Sequence, residues 1–148
     1  MSAVLIAHEK SSPFLSRGVQ MIGQLLPRLP TIKLNDAAIS RDSEIVRRYQ
    51  ADPLVYHGRF PARTLACILG AIDEIQARAG ELDLPLLVLH GTGDRLTNPE
   101  GSRRFYAKAG SQDKTLNLYD GFYHELLNEP ERMQVLSDIE SWLREHLH

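Results

Sequence analysis

The sequence predicts an α/β fold of parallel strands joined by crossover helices. Short apolar runs alternate with amphipathic stretches over residues 84–148, in the order strand, helix, strand, helix. Such alternation implies a parallel sheet with right-handed crossovers. A further apolar run at residues 3–7, Ala-Val-Leu-Ile-Ala, reads as a buried strand. Between it and the next strand lie residues 8–83, a helical block too long for a single crossover and therefore an insertion.

Each element follows from local chemistry. Phe14, Leu15, Val19, Ile22 and Leu26 recur at helical spacing, and Pro27 and Pro30 end that helix. Asp42 is a natural N-cap for a second helix carrying Ile45, Val46 and Tyr49. Pro61 opens a third, with Leu65, Ile68, Leu69, Ile72 and Ile75 as its apolar stripe and Gly80 as its stop. Leu86-Leu87-Val88-Leu89, bounded by Pro85 and Gly91, reads as a fully buried strand. Asn98-Pro99 starts a helix that runs to about Ala109 and stops at Gly110. Residues 115–119 alternate Leu116 and Leu118 with polar neighbours, as a half-buried strand does. Pro130 opens a last helix with Met133, Leu136, Ile139, Leu143 and Leu147 at helical spacing.

Composition narrows the function classes. The 148 residues carry a formal net charge of −2 and are 43% hydrophobic, which suits one domain with a real core. That charge gives no electrostatic case for nucleic acid. Cys67, the one cysteine, excludes an internal disulfide and reads as a small buried residue on a helix. No run reaches the roughly 18 apolar residues of a membrane span, and the N-terminus lacks the basic lead-in of a signal peptide. The expected location is the cytoplasm. His8, His57, His146 and His148 show no metal-ligand spacing and read as surface residues.

The chemistry concentrates in two loops. Catalytic groups of open parallel sheets gather beyond the carboxyl ends of the strands. His90-Gly91-Thr92-Gly93-Asp94-Arg95 follows one strand, and Asp120-Gly121-Phe122-Tyr123-His124-Glu125 follows the other. One strand-helix-strand unit brings both loops to the same edge, with parallel strands only about 5 Å apart. A carboxylate at Asp94 can then accept the Nδ1–H of His124, fixing its tautomer and stabilising its imidazolium. Taken singly, Asp94 reads as a turn or cap residue and His124 as a helix-edge histidine. Together, in the order acid then histidine, they favour a triad. Arg95 reads as a solvated loop charge, and His90 as a packing residue at the strand end.

His90-Gly91-Thr92-Gly93-Asp94-Arg95-Leu96, then residues 110–116, then Tyr119-Asp120-Gly121-Phe122-Tyr123-His124-Glu125-Leu126-Leu127-Asn128-Glu129 resemble the C-terminal segment of monoacylglycerol lipases. These are α/β-hydrolases grouped with the serine aminopeptidase-like (S33) hydrolases. The resemblance runs through the helical block, where Tyr49-Gln50-Ala51-Asp52-Pro53-Leu54-Val55 is similar to the end of the family's cap. It implies a partial α/β-hydrolase domain over residues 1–148. Residues 8–83 would be the helical lid of an acyl tunnel, and residues 84–148 the segment carrying acid and base. Asp94 would be the triad acid, His124 the triad base, and Tyr49 a residue at the polar end of the tunnel. The implied substrate is a small lipid or carboxylic ester, with no metal or organic cofactor. The lid implies transient contact with a membrane or lipid.

The departure from the family is the nucleophile. That serine sits in G-x-S-x-G on a strained strand-to-helix turn, and no serine of this sequence has flanking glycines at that spacing. The family's oxyanion loop has no counterpart either. Residues 3–7 resemble the strand that follows the nucleophile helix. The expectation is therefore a fragment, inactive by itself, whose partner is the N-terminal half of the fold. The alternative is a non-catalytic lipid-binding or subunit-interaction module derived from the same fold.

Overall fold

The computed structural model describes residues 13–147, with side chains from residue 18 onward. The strand expected at residues 3–7, and His8 and His148, lie outside the described residues. Five helices and two strands follow in the order α1 (Pro13–Leu25), α2 (Ser43–Ala51), α3 (Ala62–Arg78), β1 (Leu86–Gly91), α4 (Pro99–Lys108), β2 (Lys114–Tyr119) and α5 (Arg132–His146). The caps are those the residue types dictate. Asp42 accepts from the Glu44 amide at the start of α2, and Asn98 accepts from the Glu100 amide with Pro99 in the first turn of α4. α3 starts directly after Pro61.

β1 and β2 pair in parallel, with Leu86 opposite Lys114 and Gly91 opposite Tyr119. α4 is their crossover. Helices α1 and α3 pack against each other through small residues. A Cβ at Gly23 would lie 2.7 Å from the Ala66 Cβ and 3.1 Å from the Ala62 carbonyl, so only glycine allows this approach. The core by β2 is Tyr119, Phe122, Leu126 and Val135, with Leu89 and Ile139 packed against it. Each such side chain contributes about 1.5–3 kcal/mol by leaving water.

Three expectations need correction. On α5 the inward residues are Val135, fully buried, and Ile139, whereas Met133 is 68% and Leu147 72% exposed. Positions 133-136-139-143-147 and 135-139-142-146 both repeat at helical spacing, and it is Val135 and Ile139 that pack into the Tyr119–Leu126 cluster. On α3 the buried positions are Ala62, Ala66 and Ile72, with Ile75 exposed, because the contact with Gly23 requires small side chains. Cys67 is exposed, one position along the helix from buried Ala66.

His146 also departs from a surface role. Its ring stacks on Trp142 with centroids 4.0 Å apart. Nδ1 lies 2.6 Å from the Trp142 carbonyl and Nε2 3.0 Å from Asp113 Oδ2, across the start of β2. Both nitrogens face acceptors, so the doubly protonated ring satisfies both. The Trp142 carbonyl and then Asp113 hold its pKa above the ordinary histidine value, with Glu145 adding to the effect. A raised folded pKa means the latch is fully formed below the unfolded value of about 6.5 and is lost as pH rises through the folded one. Amide protection factors over the last turn of α5, corrected for intrinsic exchange, should fall severalfold between pH 6 and pH 8. In His146→Phe, which keeps the stacking but removes the titration, that pH dependence should vanish.

Candidate active site

The register of the two strands builds the site. Gly91 lies opposite Tyr119, so both chains leave the sheet at the same edge. Asp94 follows its strand by three residues (94 − 91) and His124 follows its strand by five (124 − 119). The loops then clasp each other. The Thr92 amide donates to Tyr119 O at 2.8 Å, the Gly93 amide to Phe122 O at 2.9 Å, and the Gly121 amide to Thr92 Oγ1 at 2.8 Å. A Cβ at Gly91 would collide with the Phe122 carbonyl, and one at Gly93 would sit 2.6 Å from the Gly121 carbonyl. Gly121 has φ +72°, the left-handed region that glycine enters without strain.

Within this clasp Asp94 meets His124. Asp94 Oδ2 lies 2.8 Å from His124 Nδ1, with the Asp94 side chain 1% exposed and the His124 side chain 18% exposed. The other carboxylate oxygen, Oδ1, accepts the amides of Leu96 at 2.7 Å and Thr97 at 2.9 Å. Asp94 is therefore a turn residue as well as the partner of His124. Oδ2 also accepts the Thr97 hydroxyl at 2.5 Å and lies 3.3 Å from His90 Nε2. Burial pushes the Asp94 carboxyl up, but hydrogen bonds from His124, His90 and Thr97 outweigh it and hold the group well below the usual carboxylate range. An ionised carboxylate facing Nδ1 assigns the proton to that nitrogen and makes Nε2 the basic one.

A second anchor fixes the far side of the His124 loop. Glu129 has no exposed side-chain surface and pairs with the Arg41 guanidinium, while its Oε1 accepts the Arg41 amide at 2.8 Å. Ser40 Oγ donates to Asn128 O at 2.7 Å, and the Glu125 amide donates to Ile39 O at 2.8 Å. Arg41 also stacks over the Phe122 ring at 4.7 Å. These contacts tie residues 39–41, just ahead of α2, to both sides of His124.

Tyr49 stands in a neighbouring cluster. Its ring meets His57 edge-on, with centroids 5.5 Å apart, and His57 Nδ1 lies 3.1 Å from Asp36 Oδ2. Tyr49, His57, Asp36 and Tyr56 line a cavity of about 30 Å³, room enough for ordered water. Burial, and then the charges of Asp36 and Glu125, push the Tyr49 phenol up. Glu125 follows His124 in the chain, so Tyr49 is close to the histidine loop while its ring contact is with His57. His57 is thus a paired residue rather than a plain surface one. Arg95 is likewise not simply solvated: its guanidinium lies 4.9 Å over the Tyr123 ring. The roles of His90, Thr97 and Arg41 were not apparent from the sequence. The turn at Asp94 did have a signal, since an Asp side chain readily accepts the backbone amide two residues on, here that of Leu96.

The chain as a whole has similar counterparts among known proteins. The family described as serine aminopeptidase, S33, matches residues 1–131. The chain is 43% identical over 141 residues to a monoacylglycerol lipase of Mycolicibacterium smegmatis, covering 95% of this chain and 50% of that protein. It is 34% identical over 120 residues to caffeoylshikimate esterase of Arabidopsis thaliana, covering 79% of this chain and 36% of that one. The crystal structure of Paleococcus ferrophilus monoacylglycerol lipase superposes with a TM-score of 0.83 at 30% identity, over 97% of this chain and 56% of that chain. The chain thus spans about half the length of the curated relatives it matches.

The depressed Asp94 carboxyl has a measurable consequence. Its contribution to stability is present above the unfolded carboxylate value of about 4 and is lost as pH falls below it toward the folded value. Asp94→Asn should cost about 2 kcal/mol in urea unfolding at pH 7, the loss of hydrogen bonds to a charged group. The gap between variant and wild type should narrow at pH 3. A gap that widens there would mean that Asp94 is not held ionised by its neighbours.

The glycine-clasped loops at the ends of two parallel strands, the matching residues 1–131 and the superposition on a lipase structure place this chain in the serine aminopeptidase, S33, family of α/β-hydrolases, of whose fold it forms a part.

Proposed function

We propose that this chain supplies the acid and the base of a serine hydrolase that cleaves carboxylic esters, with monoacylglycerols as the substrate class. The observation that carries this reading is the 2.8 Å contact between buried Asp94 and His124 Nδ1 at the shared edge of β1 and β2. The attacking serine and the oxyanion donors belong to polypeptide outside this sequence, which contains no G-x-S-x-G. His124 Nε2 takes the serine proton as the oxygen attacks the ester carbonyl, and Asp94 stabilises the resulting imidazolium. The proton passes to the departing alcohol, here glycerol. Water then repeats the sequence on the acyl-enzyme, with His124 again first base and then acid.

The helical block of residues 8–83 is the lid of the acyl site in this reading. Its apolar residues support that role: Leu25 is 73%, Leu26 56% and Leu54 93% exposed, side chains suited to an acyl chain or to transient contact with lipid. Tyr49 stands at the polar end, toward the glycerol head group. The similarity to an esterase of a different alcohol supports the bond type independently of the leaving group.

The test is complementation. By itself the 148-residue chain should neither hydrolyse a monoacylglycerol nor label with a fluorophosphonate. Co-expressed with the N-terminal half of the M. smegmatis lipase, it should form a complex that hydrolyses monoacylglycerols. Activity of that complex should drop about 10⁴-fold in both His124→Ala and Asp94→Asn, the scale of losing the base or its correct tautomer. A stable complex that stays inactive, or activity that survives His124→Ala, would refute the assignment.

A further inference from the structure

His90 is buried beside the Asp94–His124 contact and is used by neither the sequence pattern nor the proposed mechanism. Its side chain is 1% exposed. Nδ1 lies 2.6 Å from the hydroxyl of Ser102, a fully buried residue of α4. Nε2 faces two oxygens at 3.3 Å each, Asp94 Oδ2 and Thr97 Oγ1.

The proton inventory decides the tautomer. The Thr97 hydroxyl proton is committed to Asp94 Oδ2, at 2.5 Å. Both oxygens facing Nε2 therefore present only lone pairs, and an unprotonated Nε2 would leave three acceptors confronting one another in a buried site. Nε2 must carry a hydrogen. Nδ1 faces a hydroxyl that can rotate to donate, so the neutral ring satisfies every group. We propose that His90 is a positioning residue: fixed by Ser102 as its Nε2–H tautomer, it donates toward Asp94 and Thr97 and keeps the carboxylate aimed at His124. This rests on the acid–base assignment above and names the groups that hold its acid in place.

The neutrality of this donor matters chemically. The described groups facing Asp94 are His124, His90, Thr97 and the backbone amides of residues 96 and 97, and no Lys or Arg among the described residues forms an ion pair with it. A resident cation at that spot would neutralise the carboxylate before His124 takes up a proton. A neutral N–H orients the carboxylate while leaving its charge for the imidazolium. The depression of the Asp94 carboxyl, to which His90 contributes, agrees with a donated hydrogen bond.

The experiment uses the whole 148-residue chain labelled with ¹⁵N-histidine and ¹³C-aspartate, and reads ring-nitrogen shifts near pH 7. In the wild type, His90 should show a protonated Nε2 and an acceptor Nδ1, and His124 a protonated Nδ1. In His90→Phe, which fills the space without a donor, the His124 ratio of Nδ1–H to Nε2–H should fall severalfold. The Asp94 carboxyl should gain about tenfold in proton affinity, the scale of one hydrogen bond to a charged group. His90→Gln, whose amide nitrogen can stand in for Nε2, should restore both. If His90→Phe does not fold, His90→Met takes its place in the comparison with His90→Gln. A His124 ratio unchanged without the donor, or a wild-type His90 protonated on Nδ1, would overturn the proposal. Wild-type His124 protonated on Nε2 instead would count against the acid–base assignment itself, so the two failures are distinguishable.

Discussion

The parallel register of β1 and β2 is the constraint on which the rest depends. With Gly91 opposite Tyr119, two loops separated by a helix in sequence leave the sheet side by side. A shift of one residue would turn every side chain of a strand to the other face and break the backbone bonds from Thr92 and Gly93 to residues 119 and 122. The 2.8 Å contact between Asp94 and His124 is therefore a product of strand pairing before it is a product of side-chain attraction. The glycines at 91 and 93 let two backbones approach until a single Cβ would force them apart. That rigidity is what a carboxylate needs if it is to hold an imidazole within a few tenths of an ångström.

Packing extends the same order outward. Phe122, two residues before His124, lies in the Tyr119–Leu126–Val135 cluster and stacks on Tyr119 with ring centroids 5.3 Å apart. Tyr119 in turn donates to Asp138 of α5 at 2.9 Å. Burial and then the hydrogen bond to Asp138 push the Tyr119 phenol well up, so it stays a donor across the whole working range of pH. The histidine loop is thereby fixed to β2, to α5 and, through Arg41 and Ser40, to the segment that leads into α2. Residues 39–41 thus touch both Glu125 and Glu129, one on each side of His124 in the loop that follows β2.

The legibility of these features in the sequence follows their range. Strands β1 and β2 were readable because four apolar residues between Pro85 and Gly91, and an alternating run at 115–119, have few other uses. The two loops were readable because turn-forming glycines sit beside an acid and a histidine just past those strands. Helix existence was readable for the same local reasons, but helix facing was not. α5 carries more than one set of positions at helical spacing, and only the position of Tyr119, Phe122 and Leu126 selects Val135 and Ile139. Likewise nothing local shows that Arg41 meets Glu129, 88 residues away, or that His90 and Ser102 face each other across a strand–helix interface. Pairings of that kind depend on tertiary packing that periodicity does not encode.

The two buried carboxylates that flank His124 show how the surroundings separate charge by purpose. Glu129 is matched by the guanidinium of Arg41, a permanent cation with a fork that suits a carboxylate. Its charge is spent within the fold, and breaking one side of such a pair would leave an uncompensated buried ion. Asp94, equally buried, is surrounded by amides, a hydroxyl and imidazoles. These groups stabilise its ionised form without cancelling its charge. An arginine beside Asp94 would be a fixed counter-ion and would weaken the field that an imidazolium at His124 requires. Under the proposed function the difference is necessary: the carboxylate that anchors a loop takes a fixed counter-ion, and the carboxylate that serves a proton transfer is held by neutral donors until its neighbour becomes charged.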